Sequence, residues 1–566
     1  MCLYGPDAMG STNKVAQDKV TGAEDQRAEG RKWIDRAADY FHTDRYVIYL
    51  AIVLAVFFLF HTIKGAFVPI HVDEAYYWLL GKRPIEAATY LHPLFKVVEI
   101  WFSTHIFGDN TFAVRLGSNL FSTGALLLIF LLSFRIFKDK RLAFLTALLV
   151  ALLPLTNYWM PLGHQESVLT FFWLLTAYLA WRAVSEERKG FWYLAGLSTG
   201  IGLLNNMRSS FIFLGLLLFL LTSRQARGWL RRKEPWLAFL IPVAMFIPSF
   251  LWYASHHFRP ILDQATNHPG FLNHSLFGYL AFAGWHILNE AFVLALFVYI
   301  LSFFGLIYGG YLGYFDRRGK DMRFQFLVSL GAPVVLFFLI TGGTPYWGWC
   351  GHLMEITAGM AAFQVLLSRS SKEWLHKNWK RGYMAICIIT VVAVTWPTIF
   401  LTQGDLLQND WKGLTGVTEE IAATMPGEVY VAAPYLFLAG QVAFYDLHTQ
   451  AITGYTQAFV VYDHPVWGSG SSEYAPFIPL EDLVAKDFIF IDLEMNPDGY
   501  YTPISYWEEK LPRYFDHVDP PVIMSYKKWF KDIRRYFIFK CYGFKGPDSA
   551  MDDKDLWEYV HEPQEI

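Results

Sequence analysis

The sequence predicts a polytopic α-helical membrane protein of about eleven transmembrane helices followed by a C-terminal extracytoplasmic α/β domain. Three observations carry this. Apolar residues make up 54% of the 566-residue chain and charged residues only 17%, gathered into long apolar runs of the kind that span a bilayer. Basic residues concentrate in every second loop between those runs. The runs end near residue 403, after which strand-like segments replace them.

Residues 1–45 are polar and mixed in charge, without the apolar stretch of a signal peptide; they read as a cytoplasmic tail before an uncleaved anchor. Spans are expected at 46–67, 110–134, 142–160, 167–184, 191–205, 209–222, 235–254, 284–314, 324–341, 351–368 and 382–402, so that 46–403 forms the membrane domain and 68–109 its first outer loop. The loops at 135–141, 182–189, 224–233, 317–323 and 369–381 together hold about twenty Lys and Arg against about five in the alternate loops, which places the N-terminus in the cytoplasm. An odd number of spans then puts residues 404–566 on the far side, with the first outer loop. Strands are expected at 428–433, 487–491 and 536–541, in a region large enough for its own core. The chain is expected to cross its membrane many times, with the C-terminal domain extracytoplasmic.

The net charge of -3 is uninformative because the charges are segregated. Cys2, Cys350, Cys387 and Cys541 show no paired spacing, which argues against a disulfide framework or a zinc site. No Gly-rich phosphate loop, Walker motif or 20–50-residue repeat is evident, which argues against an ATP-driven pump.

The residues able to do chemistry collect on the outer side. Asp73 and Glu74 stand in His71-Val-Asp-Glu-Ala-Tyr-Tyr-Trp78, directly beyond the first span. Carboxylates at a membrane boundary are costly to keep half-buried and so usually have a task. The neighbouring Tyr76, Tyr77 and Trp78 suit a sugar, whose C–H faces stack on rings while acids bind its hydroxyls; they also suit ordinary interface packing. Glu166 occupies an equivalent place before the fourth span, where it is either a second acid for the same cavity or a helix N-terminal charge. The task these acids suit is activating a hydroxyl for attack on a lipid-linked sugar. The leaving group is then a phosphate that needs cations, and the outer candidates are His92, Lys96, Arg208 and Arg259, with Lys82 and Arg83 beside them. Arg208 lies in Asn205-Asn-Met-Arg-Ser-Ser210, a polar break between apolar halves, of the type tolerated where it lines a cavity. Trp347 and His352, in Thr344-Pro-Tyr-Trp-Gly-Trp-Cys-Gly-His352, are further lining candidates, as is His257. A metal on His257 would need an acid from elsewhere, because the adjacent His256 points away.

These motifs resemble polyprenyl-phosphate-dependent glycosyltransferases of the GT-C superfamily, in particular the group with protein O-mannosyltransferases and the lipid A aminoarabinose transferase. Asp73-Glu-Ala-Tyr-Tyr-Trp78 is similar to a motif of a bacterial branch, which implies a plasma (inner) membrane location with residues 404–566 in the periplasm. It is followed in order by Arg115-Leu-Gly-Ser118, by Glu166 seven residues before Trp173, by Pro248-Ser-Phe-Leu-Trp252 and by Val442-Ala-Phe-Tyr445. The resemblance covers about residues 45 to 445. It implies inverting transfer of a sugar from a polyprenyl-phosphate donor to a hydroxyl on a glycan, glycolipid or protein, with Asp73 as general base and Glu166 as its acidic helper. The departure is Leu91-His92-Pro93-Leu94, which lacks the acid and second proline of the family. The acidic metal ligand is therefore missing there, no cofactor is required by the sequence, and a divalent metal stays an open alternative. An oligosaccharide transferase or polymerase of the same superfamily, a flippase of lipid-linked glycans and a noncatalytic scaffold are the competing readings. Acids clustered at one mouth without duplicated halves weigh against the flippase, and nothing points to a nucleic acid.

Overall fold

The computed structural model describes residues 44–82, 94–255, 258, 276–342, 344, 346–400, 410–433, 436–446, 454–456, 480–494, 503–528 and 531–546. Seven described helices are long and apolar enough to cross a bilayer: Arg45–Phe67, Thr111–Phe137, Glu166–Ser185, Lys233–Ser255, Leu296–Tyr314, Met322–Thr341 and Trp349–Arg369. Shorter apolar helices, Lys140–Ala151, Gly190–Asn205 and Phe211–Thr222, pack among them, and Glu373–Phe400 follows. The sequence-derived class is borne out: a helical membrane domain precedes a sheet-containing one.

The helix ends follow local chemistry. Asp44 opens the first span by accepting the Tyr46 N–H at 2.9 Å, and Asn110 opens Thr111–Phe137 by accepting the Ala113 N–H at 2.9 Å. One side of the first helix, with Leu50, Phe57, His61 and Gly65, is buried; the other, with Ile52, Val56, Leu59, Ile63 and Phe67, is exposed for lipid to cover. Where the chain lacks bulk, helices come closest. A Cβ on Gly196 would stand 2.3 Å from the Ala238 carbonyl oxygen, so glycine alone lets Gly190–Asn205 and Lys233–Ser255 touch backbone to backbone.

Two expected spans are corrected. The run 142–160 is not one helix: Lys140–Ala151 stops and Pro154 starts a separate short helix, Pro154–Tyr158, after an extended Leu153. The run 284–314 is two helices, Leu276–Val293 and Leu296–Tyr314, divided at Ala295 with φ of 60°. A single helix over that run would be about 46 Å long, well beyond the hydrocarbon thickness.

The C-terminal region folds as a six-stranded sheet. Its strands are β1 (Val429–Ala432), β2 (Gly454–Thr456), β3 (Asp487–Leu493), β4 (Phe515–Val518), β5 (Val522–Lys528) and β6 (Lys531–Phe544). The order is β2-β1-β3-β6-β4, with β5 also on β6; β1 is parallel to β2 and β3, whereas β6 runs antiparallel to its neighbours. The strand alternation divides two cores: Ile489 and Ile491 face Leu414, Leu438 and Val442, and Phe488 and Phe490 face Trp507 and Leu511 on the other side. All three expected strands are present.

At the end of β3 the buried Asp492 carboxylate accepts the Leu493 N–H at 2.7 Å and the Trp507 indole N–H at 2.6 Å. Burial nevertheless pushes its pKa up from 3.8 to about 7, the two hydrogen bonds opposing the shift. A folded-state pKa above the unfolded one means a stabilising contribution that is complete below about pH 4 and lost as pH rises through about 7. Unfolding followed by Trp fluorescence should therefore show stability declining over that window by up to about 4 kcal/mol, and Asp492→Asn should flatten the decline.

Candidate active site

The chain turns out of the first span at Val68, which is extended, and re-enters a helix at Val72–Gly81. His71 caps that helix. Its Nδ1 accepts the Asp73 N–H at 3.3 Å, and its own N–H donates to Glu74 Oε2 at 2.7 Å, closing a capping box. Successive helical residues point about 100° apart, so the two acids of the motif face different surroundings.

Glu74 is entirely buried. Arg115, from the Thr111–Phe137 helix, grips it with Nε to Oε1 at 2.7 Å and Nη2 to Oε2 at 2.5 Å, and Gly163 N–H donates to Oε1 at 2.5 Å. The remaining Arg115 donors reach the Gly65, Val68 and Pro69 carbonyls at 2.7–2.8 Å, the open end of the first span. Burial opposes ionisation of Glu74, but the Arg115 guanidinium and the backbone N–H groups outweigh it and hold the carboxyl below its ordinary range. One ion pair thus joins the first span, the Asp73 helix, the second long span and the 159–165 turn. Glu74, expected as a catalytic acid, is corrected to a structural tie: its lone pairs are occupied and solvent does not reach it.

Asp73 is different. Its side chain is 40% exposed, and Oδ2 lies 3.6 Å from both His71 Nδ1 and His164 Nε2. His164 is buried, and burial, followed by the charges of His71, Arg208 and Lys96, pushes its pKa well below the imidazole norm. Rings enclose this mouth: Trp159 stands 5.7 Å from His71, 5.5 Å from His164 and 5.1 Å from Tyr346, and Tyr77 is 6.1 Å from His164.

Glu166 begins the Glu166–Ser185 helix two residues after His164. It is 1% exposed, its Oε1 accepts from Arg208 Nη2, and its Oε2 has no hydrogen-bond partner. Arg208 sits in the expected polar break, a 3-10 turn at Met207–Ser210, with Nε on Asn206 Oδ1 at 3.2 Å, Nη1 at 3.5 Å from the Trp347 carbonyl and its guanidinium 5.8 Å from the Trp347 ring. Asp73, Glu166, Arg208, Tyr77, Tyr346 and Trp347 therefore belong to one continuous region.

Other expected residues sit apart from it. Trp78 donates its indole N–H to Asp109 at 2.7 Å and packs 5.1 Å from Phe444, under Lys82, so it joins the sheet-containing region rather than lining the mouth. Tyr76 packs in the same cluster. Lys96 is buried against Glu99 Oε2 at 2.5 Å and Ser118, so its charge is already matched. His352 is buried with Ser302 at 2.8 Å and Glu290 at 3.8 Å. His92, His256, His257 and Arg259 lie outside the described residues. Among the described residues no group of three His, Cys, Asp or Glu side chains is placed to hold a metal.

Sequence reasoning missed His71, His164 and Tyr346. The signal for His164 was its place two residues before Glu166, on the same outer turn. Gly163 shapes that turn: a Cβ there would lie 3.0 Å from Val114 and 3.1 Å from Glu74 Cγ. Gly163→Ala should cost about 1–3 kcal/mol in thermal stability and reduce activity by shifting His164 off Asp73.

A bundle of apolar helices with an acid-bearing helix at one mouth, packed against the Leu436–Tyr445 helix of the sheet-containing region, has the GT-C fold. Solved structures support this at the level of fold. ArnT from Cupriavidus metallidurans in the apo state aligns with a TM-score of 0.56 at 14% identity, over 88% of this chain and 98% of that one. The same protein bound to undecaprenyl phosphate aligns with 0.52 at 13% identity, over 87% and 97%. The family model for dolichyl-phosphate-mannose-protein mannosyltransferase matches residues 91–252. The undecaprenyl phosphate-alpha-4-amino-4-deoxy-L-arabinose arabinosyl transferase of Pseudomonas aeruginosa (strain LESB58) is 25% identical over 230 residues, which are 37% of this chain and 40% of that relative's length. The resemblance read from the sequence is borne out at the level of fold.

Proposed function

We propose that this chain is an inverting glycosyltransferase moving a sugar from a polyprenyl-phosphate donor to a hydroxyl acceptor. The observation that carries the reading is Asp73: a carboxylate open to solvent at the mouth, beside a motif partner whose oxygens are taken up by Arg115, His71 and Gly163. The acceptor hydroxyl oxygen attacks C1 of the sugar, its proton passes to the Asp73 carboxylate, and the C1–O bond to phosphate breaks with its electron pair leaving on the polyprenyl phosphate. Attack opposite the leaving group in one displacement inverts C1. His71 and His164 position the carboxylate.

Arg208 is the candidate to meet the developing phosphate charge, held in place by Glu166 and the Trp347 carbonyl. Glu166 thereby supports the reaction through Arg208. His92 and Arg259 keep their proposed phosphate-binding role, while the engagement of Lys96 by Glu99 makes it a weaker candidate. The acceptor is a lipid, glycan or protein hydroxyl.

The Asp73 mouth is assigned to the outer face of the inner membrane. Support comes from Arg135, Arg182, Arg188 and Arg369, which lie in or beside the loops at the other ends of the helices that bear Arg115, Glu166 and Trp349. The test is reconstitution in vesicles with a panel of polyprenyl-phosphate sugars and envelope extracts, read by mass spectrometry. Donor-dependent labelling of an acceptor supports the reading; binding of donors without any transfer across the panel refutes it. Envelope glycans of a deletion strain then identify the acceptor by the missing hexose or pentose.

A further inference from the structure

At the ends of Thr111–Phe137 and Glu166–Ser185 that lie away from the Asp73 mouth, the structure holds a cavity of about 500 Å³ lined by Arg135, Lys138, Arg182, Arg188, Glu186 and Trp181 among others. We propose that this cavity is a binding site for a phosphate-bearing anion, the phosphodiester head group of an anionic membrane lipid.

Four basic side chains share the cavity with one carboxylate, and that carboxylate organises them. Glu186 accepts from Arg182 Nε and Nη2, each at 3.0 Å, and lies 3.5 Å from Arg135 and 3.9 Å from Arg188. Arg182 is further fixed by the Phe191 ring, 4.1 Å from its guanidinium. Glu186 cannot neutralise the group, so an excess of positive charge faces the cavity. Arg188 stays 69% exposed and Arg135 38% exposed, with donors available to an incoming anion. Lys138, exposed at a left-handed helix end with φ of 59°, pairs with no carboxylate among the described residues.

The topological bias toward basic loops explains why these residues are on this face, but not why they converge. Scattered loop charges need only be solvated. Here they are drawn into one concavity, beside the Gly190–Asn205 helix whose Tyr193, Leu194 and Leu197 are exposed for hydrocarbon to cover. A basic hollow at that boundary fits a lipid phosphate whose acyl chains run down the apolar helix surface.

The test uses the full chain in nanodiscs holding equal amounts of phosphatidylglycerol and phosphatidylcholine, with co-purifying lipid read by native mass spectrometry. The expected result is one retained phosphatidylglycerol per chain in wild type and about a tenfold loss of that preference in R135Q/R188Q. Arg317→Gln/Arg318→Gln, basic residues of the same face outside the cavity, should retain it. Equal retention in wild type and R135Q/R188Q, or equal loss in the Arg317/Arg318 variant, overturns the proposal. Displacement of the lipid from wild type by millimolar inorganic phosphate would reassign the same cavity to a soluble phosphate and overturn the lipid source. If R135Q/R188Q fails to fold, K138Q, which alters one exposed side chain, replaces it and should lower the preference severalfold; no change in K138Q then counts against the site.

Discussion

Asp73→Asn is expected to reduce sugar transfer by about 10²- to 10⁴-fold, the range that removal of a positioned general base produces. Asn keeps the size of the side chain and the helical geometry, so the thermal unfolding midpoint and donor binding should hardly move. The loss should fall on kcat rather than KM, because the proton is transferred in the transition state and not during binding. His164→Gln supplies the internal comparison. It keeps a polar side chain beside Asp73 but removes the imidazole, and it should give a smaller kcat loss than Asp73→Asn. An Asp73→Asn enzyme with wild-type kcat would remove Asp73 from the chemistry altogether.

The second large effect concerns stability. Glu74→Gln leaves the Arg115 guanidinium buried with its counter-charge gone, and Arg115→Met leaves the carboxylate in the same position. Either change should cost about 3–5 kcal/mol. It should show as lost monodisperse protein in detergent and a large drop in unfolding midpoint. Combining them as Glu74→Gln/Arg115→Met should be milder than the sum, because each single change strands a charge that the double removes. The three carbonyls of the first span end, which Arg115 also serves, would keep some of the penalty even then. An additive double variant would show that the two residues act independently, against the geometry.

These two predictions concern neighbours in the sequence, and they illustrate what the sequence disclosed and what it did not. The apolar run and the acids beyond it were legible because a bilayer imposes length and because charges at its edge are rare. That marked the motif as a whole. Which acid serves which purpose was not legible, because Arg115 is 41 residues away and Gly163 is 89 residues away from Glu74. Period-3.6 geometry says only that Asp73 and Glu74 diverge; the packed structure decides which one meets water. The three strands were visible from their β-branched and aromatic content. The division at Ala295 was hidden, since an apolar run has no internal mark for a bend that depends on how neighbouring helices leave room. Trp78 misled for a related reason: a tryptophan beside carboxylates reads as a sugar platform, while here it is the seat for Phe444.

That seat has its own consequence. The Leu436–Tyr445 helix lies behind the helix bearing Asp73, with the Tyr445 hydroxyl accepting the Ile70 N–H and the Gln441 amide donating to the Ile70 carbonyl, both at 3.2 Å. These partners are separated by 375 and 371 residues. A growing polypeptide that has threaded only its early segments through the translocon therefore lacks the buttress that sets Asp73 in register. Competence arrives late in biosynthesis, when residues 436–445 fold back onto Ile70, and a chain terminated before residue 436 stays inert.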